Sequence, residues 1–297
     1  MNFLNQVLQG VLLGGYYALL ACGLSFMFGV MRIINLAHGS LAVVAAYGVF
    51  YLADRHEWHP FAGLVIAVPV MAAVGWLLQR SLLERSARAG ELVPILATFG
   101  LAVVIDNTLF ANFGADTRSL APFLEELAYG GFNIGPLTLG HLPLLTFGVA
   151  VVLLGGLHVM LKHTPLGRRI RAVADDPSTA QLVGVDAMAV NAAAAAIAMA
   201  TVGVAGVFLA IRATVDPYAG APQLIFAFEA VMIGGAGSLW GTLAGGIALG
   251  VAQSLGASVH TQGFLIAGHV LFLVVLLTRM LLAGRPIMSL FKPAVAR

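Results

Sequence analysis

The sequence has little charge, one cysteine and none of the common catalytic signatures. Only 9% of its 297 residues are Asp, Glu, Lys or Arg, where a soluble domain carries about 25%. With 60% hydrophobic residues, that scarcity excludes a water-soluble globular domain and places the chain in a bilayer. The lone Cys22 cannot form a disulfide within the chain and reads as a small packing residue. No G-x-x-x-x-G-K-[ST] phosphate loop is present, so the chain does not bind ATP in that way. No H-E-x-x-H is present either, and "HEWH" at 56–59 has the wrong spacing, so no metal set is expected. No Ser/His/Asp arrangement can be argued from spacing, and the chain reads as not an enzyme. The net charge of +2 does not point to nucleic acid, because the basic residues are dispersed beside apolar spans.

What the chain has is apolar length. Runs able to cross a bilayer, roughly 20 residues each, fall at 5–29, 33–53, 60–79, 93–113, 141–161, 189–211, 238–257 and 263–282. A shorter run, 223–236, precedes "GGAGSLWG". The runs are continuous rather than alternating, and barrel strands would be about half as long, so strands are not expected. The first run lacks a basic n-region and a convincing cleavage site, and reads as a retained span. The expected fold is an all-α polytopic membrane protein, a single transmembrane domain over 1–297. It has about eight transmembrane helices plus a short or broken one.

Lys and Arg orient such a chain. With the N-terminus outside and every segment reversing, twelve of the 15 cations fall inside. These are Arg32, Arg80, Arg85, Arg88, Lys162, Arg168, Arg169, Arg171, Arg279, Arg285, Lys292 and Arg297. Arg55, Arg118 and Arg212 fall outside. If 223–236 dips in and returns, the parity of the earlier helices changes. The inner segments are 80–92 and the longer 162–188, and the outer loop 114–140 has a short surface helix near "APFLEELAYG". A weak internal repeat pairs 5–88 with 223–297: apolar run, Gly-Ser break, two apolar runs, basic segment. "NLAHGS" is the first break and "GGAGS" the second, and paired interrupted segments point to a translocation path.

Several residues interrupt the apolar pattern. In "MRIINLAHGS", Arg32 suits an inner turn, whereas Asn35 and His38 either satisfy freed backbone groups or face a watery path. Gly39 and Ser40 admit a second helix. In "GGAGSLWGTLAGGIALG", Gly245, Gly246 and Gly250 read as helix packing. Gly234, Gly235, Gly237 and Ser238 read equally as packing or as a break facing the path. Asp106, beside Asn107, and Glu229 are acids within apolar runs. Each faces a partner or a cavity, and Glu229 has the further option of lying near the outer surface. In 162–188, Asp176 is a good N-cap, Pro177 suits the first helical position and Gly184 is a stop. Asp175 and Asp176 suit a helix N-terminus. One short helix is therefore expected after a basic approach. Ala172, Val173, Ala174, Ala180, Leu182 and Val183 make the stretch too apolar to be merely solvated.

Three stretches together resemble LivH-type permease subunits of bacterial branched-chain amino acid ABC transporters: "GGYYALLACGLSFMFGVMRIINLAHGS", "GRRIRAVADDPSTAQLVGVD" and "AVMIGGAGSLWGTLAGGIALG". The resemblance covers nearly the whole chain. It implies a multi-pass protein of the bacterial inner membrane with no cofactor of its own. It also implies a second, LivM-like permease, two cytoplasmic ATPase subunits and a periplasmic substrate-binding protein as partners. By this resemblance 162–188 carries the ATPase-coupling helix, with Arg171, Ala174, Asp175, Asp176, Pro177, Ala180, Leu182 and Gly184 at the contact. The implied cargo is a branched-chain or other small hydrophobic amino acid. Relatives carrying urea, short amides or other small solutes are the alternative, and Asp106 and Glu229 leave room for an ion-coupled secondary transporter.

Overall fold

The computed structural model describes residues 3–282, apart from Glu91 and Pro136. Arg285, Lys292 and Arg297, three of the expected inner cations, lie outside the described residues. The helices in chain order are α1 (Phe3–Met31), α2 (His38–His56), α3 (Leu64–Leu78), α4 (Glu84–Ala89), α5 (Val93–Phe113), α6 (Glu125–Tyr129), α7 (His141–His163), α8 (Pro165–Asp175), α9 (Pro177–Leu182), α10 (Ala187–Arg212), α11 (Gly220–Gly234), α12 (Leu239–Val259) and α13 (Gly263–Leu282). A π-turn at Gln79–Leu83 joins α3 to α4 in one rod. Among the described helices, 7 are long and apolar enough to span a membrane. α2, with polar ends, lies outside these seven, and α11 is a shorter apolar helix. The protein is a polytopic all-α membrane protein.

Two buried helices organise the bundle, and small residues put them there. Gly10 and Gly14 of α1 meet Gly250 and Gly246 of α12 so closely that a Cβ would strike backbone. The Gly-Gly spacing of α12 is therefore helix packing, as its sequence suggested. The alanine-rich α10 receives α3 at Gly75 and Gly203, and α2 at Gly206. Cys22 is buried and unpaired in this core.

Two helices begin inside the bundle rather than at its ends. After α1, Arg32 adopts left-handed φ of 54° and the chain turns back on itself. The span expected at 33–53 thus has an irregular start, and α2 begins only at His38. His38 lies beside Leu20 of α1, eleven positions before α1 ends, or about 16 Å of helix rise. Gly220, the first residue of α11, packs on Gly39 and Ser40. Two helix N-termini therefore meet deep in the bundle.

The ends of the bundle separate by charge. Arg32, Arg80, Arg85, Arg88, Lys162, Arg168, Arg169, Arg171 and Arg279 share one end, hereafter the basic end, and Arg55, Arg118 and Arg212 the other. Segment 213–234 joins the two. It leaves Arg212 beside the 118–120 loop, where Leu120 N donates to Ala210 O, and reaches the basic end, where Arg279 donates to Ile233 O. It crosses rather than re-enters, so the alternating parity holds.

One local expectation holds and two change. The loop helix near "APFLEELAYG" forms as a 3-10 turn, Ala121–Leu124, followed by α6. An antiparallel hairpin follows, β1 (Gly131–Ile134) with β2 (Leu137–Gly140), although no strand was expected. Gly135, at φ 59°, supplies the left-handed turn, and the hairpin is tied to α1 by Thr138 N donating to Asn5 Oδ1 at 3.1 Å. The basic approach in 162–188 is itself helical: Thr164 Oγ1 caps α8 by accepting from Gly167 N at 3.0 Å. Thr164-Pro165 carries the start signal of this helix, whereas the sequence reading expected only one short helix after the basic approach.

Candidate translocation site and coupling segment

The deep junction of α2 and α11 gathers one group of the sequence-derived residues. Asn35 Oδ1 accepts from Ala37 N at 3.0 Å and closes the turn into α2. Leu36 N donates to Thr98 Oγ1 at 3.0 Å. His38 Nε2 lies 2.8 Å from Leu20 O. A carbonyl can only accept, so Nε2 carries the proton. The Asn35 and Thr98 side chains thus satisfy two backbone N–H groups at the break, and the His38 ring meets a carbonyl within α1. Asn35 Nδ2 and His38 Nδ1 remain buried without partners. Gly39 is obligatory here, because a Cβ would enter the Gly220 carbonyl. Ser40 is buried beside Asp106, a buried residue whose Oδ1 has no partner among the described residues. Asn107 stands on the other side of α5, exposed, accepting from Tyr218 Oη at 3.3 Å. The adjacent pair Asp106-Asn107 is therefore split between interior and surface.

The second break lies elsewhere. Gly234, Gly235, Gly237 and Ser238 form the turn between α11 and α12 at the basic end. Gly235 and Gly237 take positive φ, 100° and 84°. Ser238 Oγ caps α12 by accepting from Gly241 N at 3.1 Å. Gly237 packs on Gly29 of α1 and Gly234 on Gly241. The sequence pattern paired "NLAHGS" with "GGAGS", whereas "NLAHGS" meets Gly220 in space. A Gly-Ser step marks a helix start at any depth. The chain before it decides the depth.

Glu229 belongs to neither break. It is buried within α11, and its Oε1 lies 2.5 Å from Nδ1 of the half-exposed His269 on α13. Its Oε2 has no partner among the described residues. A polar seam runs nearby between α1, α11 and α12. Tyr17 Oη donates to Gln253 Oε1 at 2.5 Å, and Tyr16 Oη donates to Gln223 Oε1 at 2.9 Å. The Arg212 guanidinium covers the Tyr16 ring at 4.5 Å. Sequence reasoning missed Tyr16, Tyr17, Gln223, Gln253 and His269. Their signal was present as isolated polar groups in apolar runs, but nothing local said that they meet.

At the basic end, α8 and α9 form the segment expected to contact an ATPase. Asp176 caps α9: Oδ1 accepts from Ser178 N at 2.9 Å and Thr179 N at 3.1 Å. Both hydroxyls also donate to the carboxylate at 2.6 Å. The Ser178 and then the Thr179 hydrogen bonds hold its carboxyl well below the usual range. Pro177 takes the first helical position, and Gly184, at φ 82°, ends the turn that follows. Val173 and Ala180 are buried, whereas Leu182 and Val183 are 87% and 76% exposed at the tip. Arg171, Ala174 and Asp175 line a cavity of about 240 Å³ with Gly29 and Gly237. The α8–α9 segment and the "GGAGS" turn, separate in the sequence, therefore share one cavity at the end of α1.

The family described as branched-chain amino acid transport system, permease component, matches residues 6–283. The chain belongs to this family. It is 26% identical to the high-affinity branched-chain amino acid transport system permease protein BraD of Pseudomonas aeruginosa, over 96% of this chain and 97% of the relative. It is 27% identical to the corresponding LivH of Escherichia coli, over 96% and 97%. A probable LivH of Methanocaldococcus jannaschii is 28% identical over 94% and 90%. No solved structure matches. The protein is thus a multi-pass permease subunit of an ABC-type transport system, and the permease reading is favoured over an ion-coupled transporter.

Proposed function

We propose that this permease is one transmembrane half of an ATP-driven importer for branched-chain amino acids in a bacterial inner membrane. The basic end faces the cytoplasm, in keeping with the excess of Arg and Lys there. The observation that carries the reading is the build of the coupling segment. Its capped helix α9 holds Leu182 and Val183 out as an apolar tip, while α8 shares a cavity with Gly29 and Gly237. Force applied at the tip by an ATPase is thereby delivered to the α1–α12 junction, the most closely packed seam of the core. Arg171, Ala174, Asp175, Asp176, Pro177, Ala180, Leu182 and Gly184 make up this device. Two cytoplasmic ATPases drive it, a LivM-like permease completes the pore, and a periplasmic binding protein delivers substrate.

The path is assigned to the deep junction where α2 and α11 begin. Discontinuous helices with converging N-termini suit transient binding. Asn35, His38, Gly39, Ser40 and Asp106 shape it, with Asn107 and Tyr218 at its edge. Glu229 holds α11 to α13. Gly234, Gly235, Gly237 and Ser238 form the cytoplasmic hinge. The named relatives support leucine-like cargo, and the apolar interior asks for little chemistry beyond the binding protein's own selectivity.

Purification of the tagged chain from native membranes in mild detergent tests the proposal. Co-purification of a second permease and two ATPase subunits is expected. A chain that comes alone and stable, even after gentle cross-linking, overturns it.

A further inference from the structure

The end of the bundle opposite the basic end holds a cavity of about 370 Å³ between α1, α7, α10, α12 and α13. Leu12, Leu13 and Phe264 give it an apolar wall, and Arg212 gives it a cation. Its other polar neighbours are largely engaged. Gln9 Nε2 donates to Thr138 O at 2.5 Å and Ser254 Oγ to Gln6 O at 2.7 Å. Arg212 is different. Its guanidinium rests on the Tyr16 ring, and no carboxylate lies within ion-pair distance of it among the described residues. A planar guanidinium is matched by a bidentate oxyanion. The volume falls at the small end of ligand pockets, about 300–1,000 Å³.

One cation beside an aliphatic wall describes a small amphiphile with a carboxylate and a branched hydrocarbon group. We infer that this cavity is an entry subsite for an aliphatic α-amino acid, its carboxylate on Arg212 and its side chain on Leu12, Leu13 and Phe264. The inference rests on the importer reading and adds a place where cargo is first held. Arg212 is well placed for that role. It closes α10 and touches Tyr16, whose hydroxyl reaches Gln223 in the opening turns of α11. The cavity therefore adjoins the segment that leads down to the deep junction. An anionic phospholipid headgroup offers the same oxyanion chemistry. The apolar wall of Leu12, Leu13 and Phe264 beside the cation, sized for a single short side chain, favours the amino acid.

The test is direct binding to the purified permease complex, without its binding protein, in nanodiscs. The probes are leucine and leucinamide, which share a side chain and differ in the carboxylate. Wild type is expected to bind leucine about 10-fold or more better, the size of one charge-assisted pair. Arg212→Gln should drop leucine to the leucinamide level and leave leucinamide unchanged, and Arg212→Lys should recover part of the difference. Persistence of the discrimination in Arg212→Gln overturns the subsite. So does an equal fall for both probes, which would mark Arg212 as a structural residue. An anionic lipid retained by wild type and lost from Arg212→Gln, with no preference for leucine, assigns the cavity to lipid instead. Subunit composition of the same preparation reads the importer proposal separately. ATPases present without discrimination sink the subsite alone, and discrimination in a chain that purifies alone sinks the importer reading alone.

Discussion

Helices α1 and α13 are both long and apolar, yet 83% of the apolar window of α1 is buried and only 6% of that of α13. Hydropathy cannot separate them, because α13 is the more apolar of the two. Glycine does. Along α1, Gly10, Gly14, Gly15 and Gly23 each receive another helix at backbone distance, whereas on α13 only Gly263, at the helix start, does so, and Gly268 meets side chains. In a bilayer, apolarity carries a helix into the membrane but not into the bundle, since lipid is as apolar as leucine. Close packing of small residues decides which helices become core. The same comparison explains the polar groups. The seam beside α1 is enclosed and mostly paired, while α13 presents a half-exposed His269 that leans on the buried Glu229.

The largest expected effect breaks the glycine seam. Gly14→Leu or Gly246→Leu forces a side chain into backbone, which typically costs more than the ~1–3 kcal/mol of ordinary overpacking. Neither variant should give a monodisperse, thermally stable protein on size exclusion. Gly156→Leu, where nothing lies within 4 Å, should behave as wild type. A stable Gly246→Leu would remove the distinction between the two helices.

A middle-sized effect tests how α13 is held. His269→Ala leaves both oxygens of the Glu229 carboxylate unpartnered, at about 1–3 kcal/mol. The melting temperature should fall. Glu229→Gln combined with His269→Ala should be more stable than His269→Ala alone, because the buried charge is gone. A double-mutant cycle with no coupling would show that the pair does not join α11 to α13.

The smallest effect on stability falls at the tip of the proposed coupling segment. Leu182→Ala and Val183→Ala should stay within about 0.5 kcal/mol of wild type while separating ATP hydrolysis from uptake. Asp176→Ala should do the same by loosening α9. Its folded-state pKa is depressed, so the cap is fully formed above the ordinary carboxylate range and is lost only as pH falls through the lowered value. Coupling in proteoliposomes should therefore be unchanged from neutral pH down to about pH 5. A fall in coupling in that window, absent from Asp176→Asn, would contradict the cap.

Much of this was legible before any coordinates. The spans followed from runs of apolar residues, and the two ends from the distribution of Arg and Lys. The start and stop of α9 followed from Asp176, Pro177 and Gly184. The packing role of Gly245, Gly246 and Gly250 followed from their spacing. Less legible were α8, whose arginines hid its Thr164 cap, and the hairpin at 131–140, a feature too short to interrupt a hydropathy reading. Among the site residues, Asp106 and Asn107 looked like one unit because they are neighbours in sequence. A helix sends consecutive side chains about 100° apart, and that divided them.

What the sequence by itself determined are properties carried by a residue and its near neighbours: membrane residence, the number and order of spans, the two differently charged ends, and the caps. Only the tertiary structure decided the depth at which α2 and α11 begin, and which isolated polar residues meet. Tyr17 and Gln253 are 236 positions apart, and Glu229 and His269 are 40 apart. Whether such residues touch depends on the rotation and neighbours of whole helices. Close contacts at glycines, summed over the bundle, set those rotations, and no single stretch of the chain contains them.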